Sequence, residues 1–540
     1  MKLSKSRIVA WCVCFPVIAI IAVALIVGNC VLYSYEDTIT SYLCPPIVDE
    51  QAAAAARASG QELSNQIVRE ASVLVKNDNK TLPLDKDADG KVNVFGWSQT
   101  DWVFGGSGSG RVFEEGRDNL SNTAGILEAL TEYGIEYNTD LTAFYKKYRA
   151  RMGDGNSIGV YQRDFYKLCE PPISAYGDAL LNGAKSYSDT ALVVISRRAG
   201  ETEDPTRVQY KEKIGTDNAR TYLEISAEEE EMLRYVGANF EKTVVIVNST
   251  NVIELGFLES IAGLDACLVV GATGTNGAHG IPPVLYGKYF AVDEDGNETE
   301  TLISPSGKFA DTYAYDFESN VNYRYTGDAG VGHYTGISGE KLYPEGDSRN
   351  AGEQYTTATY IDYVEGIYLG YKWYETADVM GLWNGKTRAA LDPSGTTVTK
   401  NDYEAVVQYP FGFGMSYTSF DWEIMSFKLD GEEVSSGASF TEKSKIEITV
   451  KVTNMGEYSG MDVVEVYLTP PYNPKNLDSG GIEKSHVMLV GFAKTFNLEK
   501  GGSQDLTIEL DPYEFASYDC YDANQNDFEG YELEAGDYQI

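Results

Sequence analysis

The sequence predicts an α/β domain with a parallel sheet, followed by a β-sandwich and preceded by one apolar amino-terminal helix. Short β-branched runs alternate with helical segments up to about Phe420, only strand-like runs follow, and residues 8–35 carry no charge. Alternating strands and helices are typical of a parallel sheet that is covered by helices. A series of strands punctuated by Gly, Asn and Pro is typical of a β-sandwich.

Particular segments predict the helices and strands of the two domains. Ser226 and Glu229 have the capping-box spacing that begins a helix. The strands expected in the parallel sheet are residues 92–95, 191–195, 243–247 and 266–270. The helices expected between them are residues 124–133, 227–239 and a shorter segment near 252–261. The strands expected in the sandwich are residues 445–452, 463–468, 487–492 and 504–510.

The amino terminus is predicted to be a transmembrane signal anchor. Residues 8–35 are uncharged and long enough to span a bilayer. Basic residues precede this stretch and Glu36 and Asp37 follow it, which places residues 1–7 in the cytoplasm as a tail. Residues 36–60 are expected to be a linker. The prediction is therefore a single-pass protein of the cell membrane with the bulk of the chain extracellular.

Two alternatives for the amino terminus remain open. A cleavable signal peptide would also export the chain, although no small-x-small cleavage site is clear. Lipid attachment at Cys30 is disfavoured because Asn29 stands where a small residue is expected. All three interpretations export the folded part.

Composition excludes several classes of function. The 81 acidic residues outnumber the 43 basic ones and give a net charge of -38, which argues against nucleic acid as a partner. The seven cysteines are scattered in a way that fits neither a disulfide framework nor a metal site. Only three histidines occur, far apart, at positions 279, 333 and 486. We therefore predict no metal and no cofactor, whereas neutral sugars remain compatible.

Glu201 is the candidate general acid. It follows a strand-like run and Gly200, and Glu203 and Asp204 come close behind it. A carboxyl group that donates a proton must stay protonated near neutral pH, and nearby negative charge would raise its pKa. The alternative is a solvated acidic surface loop, which is what charge runs usually are.

An ordered series of motifs supports the interpretation of Glu201 as a general acid. The motifs are E-A-S-V-L-V-K-N-D-N-K-T-L-P-L at 70–84, V-N-V-F-G at 92–96, G-G-S-G-S-G at 105–110, S-P-S-G-K at 304–308, V-E-G-I-Y-L-G-Y at 364–371 and Y-P-F-G-F-G-M-S-Y-T at 409–418. Together they resemble the carboxy-terminal half of glycoside hydrolase family 3, the family of β-glucosidases and β-xylosidases. The resemblance implies an α/β domain at residues 61–420 and a fibronectin type III-like domain at 421–540.

The resemblance also implies roles for particular side chains. Glu201 would be the acid/base, with Glu203 as the runner-up. Ser107 and Ser109 of the glycine loop, and Arg207, would bind the substrate, a β-linked oligosaccharide or glycoside. The loop itself fits no nucleotide motif, because Arg111 stands where a dinucleotide fingerprint requires Gly. A loop that only turns the chain is the alternative.

The nucleophile is expected to be missing from this chain. In the resembled family it is an Asp in a Ser-Asp-Trp-like motif on a TIM-barrel domain that also supplies a Lys-His pair. Asp101 and Asp421 each precede Trp but are interpreted as decoys, because neither belongs to a barrel strand, and no histidine follows Lys. No unassigned stretch approaches the roughly 250 residues of a barrel.

Two explanations of the missing barrel stay open. Some members of the family carry their domains in reversed order, so the barrel would follow the fibronectin-like part, and the chain would be incomplete at Ile540. Alternatively, the chain is a non-catalytic, membrane-anchored protein that binds carbohydrate or a partner. With a barrel, the expected reaction is retaining hydrolysis of β-glucosides or β-xylosides. The choice of sugar stays open because Gly274-Thr-Asn-Gly277 replaces the family's Gly-Gln-Glu-Gly.

Overall fold

The structure, a computed structural model, describes residues 5–35, 49–110, 112, 123–152, 167–201, 205–206, 208–211, 215–292, 298–325, 365–471 and 481–540. The chain divides into two compact units, Met1–Gln61 and Glu62–Ile540. Helices of the described residues are α1 (Lys5–Ser34), α2 (Glu50–Ala71), α3 (Ile126–Tyr133), α4 (Thr139–Met152), α5 (Asp178–Tyr187), α6 (Ala227–Asn239), α7 (Ile281–Tyr286), α8 (Tyr371–Val379) and α9 (Tyr403–Val406).

The predicted transmembrane helix is not supported. Residues 8–35 fall almost entirely within α1, so the prediction of a helix there is confirmed. Across the described part of the chain, however, no helix combines the length and hydropathy needed to cross a bilayer.

A six-stranded sheet is the centre of the larger unit. Its strands are β1 (Val73–Asn77), β2 (Lys91–Phe95), β3 (Glu136–Tyr137), β5 (Thr190–Arg197), β8 (Lys242–Ser249) and β9 (Ala266–Val269). Their order across the sheet is β1-β9-β8-β5-β2-β3, and they run parallel except β1, which is antiparallel to β9. The predicted parallel sheet is therefore confirmed, and the sequence prediction missed the antiparallel edge strand β1.

Both faces of this sheet are covered, which explains the continuous apolar runs. Every residue of β5 is buried. Leu192 and Val194 pack on one side with residues of α3 and α7, while Val193 and Ile195 pack on the other side with α6. Successive side chains of a strand point to opposite faces, so a strand between two layers of helices needs apolar residues at every position.

Smaller hairpins and ribbons surround the sheet. A three-stranded sheet joins β4 (Lys167–Leu168), β6 (Gln209–Lys211) and β7 (Gly215–Asp217). Two-stranded pairs join β10 (Lys288–Val292) with β11 (Glu298–Leu302), β12 (Tyr313–Ala314) with β15 (Val407–Tyr409), and β13 (Thr387–Leu391) with β14 (Thr397–Asn401). In place of the helix expected near 252–261, the chain forms a short 3₁₀ turn at Gly256–Glu259.

The carboxy-terminal part is a β-sandwich, as predicted. Its strands are β16 (Phe420–Leu429), β17 (Glu432–Glu433), β18 (Ile446–Asn454), β19 (Val463–Leu468), β20 (Met488–Lys494), β21 (Ser503–Leu510), β22 (Ser517–Asp519) and β23 (Gly530–Glu532). One sheet has the order β17-β16-β18-β21, and β19 pairs with β20. Buried and partly exposed residues alternate along β18, so one face of this strand forms part of the core.

Candidate active site

The carboxyl edge of the parallel sheet gathers the candidate residues. Strands β2, β5, β8 and β9 run in the same direction, so the loops that follow them meet at one edge. In open α/β sheets ligands bind outside this edge. The glycine loop at 105–110 follows β2, and Glu201 lies four residues beyond the end of β5.

Polar side chains tie these loops to one another. The side chain of Asn248, at the end of β8, accepts a hydrogen bond from the Val103 amide at 2.7 Å and donates to the carbonyls of Val103 and Gly271 at 2.9 and 2.6 Å. The Thr250 hydroxyl accepts from the Ala199 amide at 2.7 Å and donates to the Ala199 carbonyl at 2.9 Å. The edge is therefore a connected set of loops.

Glu201 is exposed and held by the glycine loop. Its Oε2 accepts hydrogen bonds from the Ser109 amide at 2.6 Å and from the Ser109 hydroxyl at 2.5 Å. The Ser107 hydroxyl donates to the Glu201 main-chain carbonyl at 2.8 Å. Hydrogen bonds to a carboxylate stabilise its charged form, so the Ser109 hydroxyl and amide lower the pKa of Glu201 below its ordinary value.

The expectation of a raised pKa at Glu201 is therefore wrong for this structure. That expectation relied on Glu203 and Asp204, which lie outside the described residues. The dominant partner is instead Ser109, which the chain brings from 92 residues earlier. A local sequence pattern does not reveal such a donor.

Close packing explains the glycines of the two loops. A Cβ atom at Gly108, whose φ is +57°, would come within 2.4 Å of Glu201 Oε2. A Cβ atom at Gly200 would come within 2.2 Å of the Ser107 amide nitrogen. Real Cβ atoms do not approach so closely, so the glycines allow the two loops to touch. The glycine loop thus contacts Glu201 directly, which is more than a simple chain reversal requires.

The other predicted site residues have different outcomes. Ser107 and Ser109 lie beside Glu201, but their predicted binding of sugar hydroxyls stays a prediction. Arg207 and the runner-up Glu203 lie outside the described residues. Among the residues that are described, no group of three or more His, Cys, Asp or Glu side chains is placed to hold a metal ion.

The two Asp-Trp pairs lie where the decoy interpretation expects them. Asp101 follows the 3₁₀ turn Trp97–Thr100 and lies 3.6 Å from Arg198, an ion pair at the sheet edge. Asp421 lies in β16 of the sandwich, where it pairs with Thr453. The largest sheet in the described ranges has six strands, so neither residue belongs to a barrel strand there.

A buried ion pair, missed in the sequence, fixes the end of β5. The Arg197 guanidinium contacts both carboxylate oxygens of Glu229 at 2.9 and 2.7 Å, and neither side chain is more than 1% exposed. Arg197 also donates to the carbonyls of Tyr222 at 2.6 Å and Glu224 at 2.5 Å. Bidentate Arg–carboxylate pairs are both strong and directional, so this pair holds the strand end that leads to Glu201.

Glu229 has a second role at the start of α6. Its Oε2 accepts from the Ser226 amide at 2.7 Å, and the Ser226 hydroxyl accepts from the Glu229 amide at 3.1 Å. The predicted capping box is therefore confirmed. One carboxylate both caps the helix and neutralises Arg197.

Glu170 is a second unusual carboxyl group near the end of β2. It is buried, accepts from the Trp97 amide at 2.8 Å, and lies 2.5 Å from the Tyr176 hydroxyl and 3.3 Å from that of Tyr145. Burial raises the pKa of Glu170 to about 8. Its three partners belong to the protein core, so Glu170 is an internal group.

The loop that departs from the family pattern packs against α2. A Cβ atom at Gly280 would come within 2.3 Å of the Asn65 carbonyl oxygen, and the Asn276 side chain lies 3.3 Å from that of Asn65. His279 lies 2.8 Å from Glu132. These contacts give the loop a packing role in this chain.

Comparison with known proteins identifies the fold and its family. The model of the glycosyl hydrolase family 3 C-terminal domain matches residues 72–417, and that of the fibronectin type III-like domain matches residues 462–540. A β-glucosidase of Ruminococcus albus is 30% identical over 88% of this chain and 38% of its own length. β-Glucosidase A of Butyrivibrio fibrisolvens is 27% identical over 89% of this chain and 49% of its own length.

A solved structure agrees with these matches. The crystal structure of a β-glucosidase from Paenibacillus barengoltzii aligns with a TM-score of 0.61 at 27% identity, and the alignment covers 88% of this chain and 41% of that enzyme. This chain spans less than half the length of each of these three relatives. The first model covers the six-stranded sheet and Glu201, and the second covers the part of the sandwich from β19 onward. The chain therefore belongs to glycoside hydrolase family 3, of which it carries the C-terminal α/β domain and the fibronectin type III-like domain.

Proposed function

We propose that this chain supplies the acid/base half of a retaining β-glycosidase and that Glu201 is the acid/base. The observation that carries the proposal is an exposed glutamate at the carboxyl edge of the sheet, held by a glycine loop from the neighbouring strand. The family membership supports it, because the relatives named above are β-glucosidases. β-Glucosides are the substrates that these names favour, and β-xylosides are the second choice.

Retaining hydrolysis needs a second carboxylate. The nucleophile attacks the sugar and lies about 5 Å from the acid, while the acid protonates the leaving oxygen and later activates water. We propose that the nucleophile comes from a barrel domain outside this chain, as the resemblance implies. The two acids that precede Trp do not fill this role, since Asp101 pairs with Arg198 and Asp421 belongs to the sandwich.

The lowered pKa of Glu201 suits one half of this cycle. A carboxylate is the form that activates water in the second step, whereas the first step needs the protonated acid. A sugar and a barrel domain that cover Glu201 would remove water from it, and desolvation raises the pKa of a carboxyl group. We therefore expect Glu201 to become an acid only when the site is closed.

The first test uses this chain alone and then with a partner domain. The chain by itself should leave aryl β-glucosides uncleaved, because one carboxylate cannot both protonate the leaving group and trap the sugar. Joined to a barrel domain of the same family, it should hydrolyse them. Turnover by the chain alone that depends on Asp101 would contradict the assignment. Sugar binding without turnover in both cases would favour the non-catalytic alternative.

The second test identifies the acid. In the barrel-containing protein, Glu201→Gln should slow substrates with poor leaving groups by roughly 100- to 10,000-fold and affect activated aryl glycosides much less. Added azide should restore part of the rate, because it attacks the glycosyl-enzyme in place of water and needs no base; the enzyme carboxylate leaves and the product is a glycosyl azide. Glu203→Gln is the matched control, since it removes an acid two residues away. If only the control variant shows this pattern, Glu203 is the acid.

The location of the folded part is a separate proposal. We propose that it acts outside the cytoplasm, supported by the basic residues before residues 8–35 and the acidic residues after them. Charge asymmetry of this kind orients amino-terminal apolar segments. Surface biotinylation of intact cells should label lysines of the sandwich. Labelling that appears only after lysis would contradict export.

A further inference from the structure

We propose that Ser109 is a positioning residue that pins Oε2 of Glu201 and leaves Oε1 as the oxygen that carries the proton. The inference rests on the proposed function of Glu201 and deepens it. It assigns Ser109 a role toward the carboxylate, which is distinct from contact with a sugar hydroxyl.

The hydrogen bonds carry this assignment. Both donors of Ser109, the amide at 2.6 Å and the hydroxyl at 2.5 Å, converge on Oε2. The hydroxyl distance is typical of a charge-assisted hydrogen bond to a carboxylate. No donor among the described residues reaches Oε1. A proton added to the carboxyl group would therefore go to Oε1, because Oε2 already accepts two hydrogen bonds.

The neighbouring residues of the glycine loop hold Glu201 against Ser109. Ser107 holds the main chain of Glu201 through its carbonyl at 2.8 Å. Gly108 lies against the Glu201 side chain, since a Cβ atom there would come within 2.6 Å of the Glu201 Cβ. Three consecutive residues of the glycine loop thus contact Glu201, each through a different group.

Few other charges compete with Ser109. Arg198 lies between β5 and Glu201, and Asp101 lies between β2 and the glycine loop. These two charged groups pair with each other at 3.6 Å. The glycine loop from Gly105 to Gly110 carries no titratable side chain. The Ser109 hydroxyl and amide, in that order, are what lower the pKa of Glu201. Removal of the hydroxyl should therefore raise that pKa, because the charged form loses a donor.

Ser109 and Ser107 give a matched pair of variants that can be tested in the full chain. The pKa of Glu201 can be followed in the full chain by carbon NMR of labelled glutamate, with Glu201→Gln to assign the signal. Ser109→Ala should raise this pKa toward the ordinary value of a glutamate, and Ser109→Thr should leave it low. Ser107→Ala should also leave it low, because Ser107 donates to the main chain. An unchanged pKa in Ser109→Ala, or an equal rise in Ser107→Ala, would overturn the inference.

A kinetic measurement then separates this inference from the proposed function. In the barrel-containing protein, Ser109→Ala should move the alkaline limb of the kcat/KM profile to higher pH, since the acid keeps its proton longer. Thermal unfolding should not change in parallel. If Glu201→Gln shows no dependence on the leaving group, the proposed function fails, although the NMR result still tests the contact. If Glu201→Gln behaves as expected but Ser109→Ala leaves the limb in place, only the role of Ser109 fails.

Discussion

Two glutamates near the same edge of the sheet have opposite environments. Glu170 is buried against two tyrosine hydroxyls and its pKa is raised to about 8 by burial. Glu201 is exposed, and two donors from Ser109 lower its pKa. A search for a protonated carboxyl group would select Glu170, although only Glu201 is open to a substrate. Perturbed pKa values mark functional sites only in part, because structural networks shift them too.

The comparison predicts a larger loss of stability at Glu170 than at Glu201. Glu170→Ala should lower the free energy of unfolding by about 3 kcal/mol, because it leaves a cavity and removes the acceptor of the Tyr176 hydroxyl. Chemical denaturation followed by circular dichroism would measure it. Glu170→Gln is the control, since it keeps the size of the side chain. A loss below about 1 kcal/mol in Glu170→Ala would mean that the cluster is not part of the core.

The pH dependence of stability sharpens the same contrast. In the folded state Glu170 keeps its proton up to about pH 8, whereas an unfolded glutamate loses it near pH 4.3. Unfolding therefore releases a proton in this window, so stability should fall as the pH rises from about 4.3 to 8, by up to about 1.4 kcal/mol per unit. Denaturation at several pH values should show a flatter slope in Glu170→Gln.

Glu254 provides the control for that slope. Burial also raises its pKa to about 8, so Glu254→Gln should remove a comparable part of the pH dependence. The double variant should remove more than either single one. Identical slopes in all four proteins would contradict the buried, protonated state of both groups.

The smallest expected effect is the stability change at Glu201. Glu201→Ala should leave the free energy of unfolding almost unchanged, as is usual for exposed side chains. The Glu201 carboxylate should take up a proton only at acidic pH, because Ser109 lowers its pKa. A stability loss as large as that of Glu170→Ala would mean that Glu201 has a structural role and would end the contrast.

Strands and helices of the α/β domain could be predicted from the sequence, because buried elements leave a clear pattern of apolar residues. β5, expected at 191–195, occupies Thr190–Arg197 with every residue buried. The helix expected at 227–239 has those bounds, and its capping box is present. β1 escaped prediction because it is a five-residue edge strand, and its antiparallel pairing with β9 joins residues almost 200 positions apart.

The site was only partly predictable. Its principal residue, Glu201, could be chosen from its position after a strand and from the family motifs. Its electrostatics could not, because the deciding donors come from Ser109 on another loop. Arg197 was also missed, since an arginine at the end of a strand usually faces water and nothing local indicates that Glu229 lies opposite.

The buried pair of Arg197 and Glu229 constrains how this sequence can change over time. Removal of one partner leaves an unpaired charge in the interior, which typically lowers the free energy of unfolding by about 3–5 kcal/mol. That is a large share of the stability of an average domain. Either residue can therefore be replaced only together with the other, or after stability has been gained elsewhere. Glu229 is held further by the cap of α6. Across related sequences the two positions should vary as a pair, and a chain that lost only one of them would be selected against for folding before its chemistry was tested.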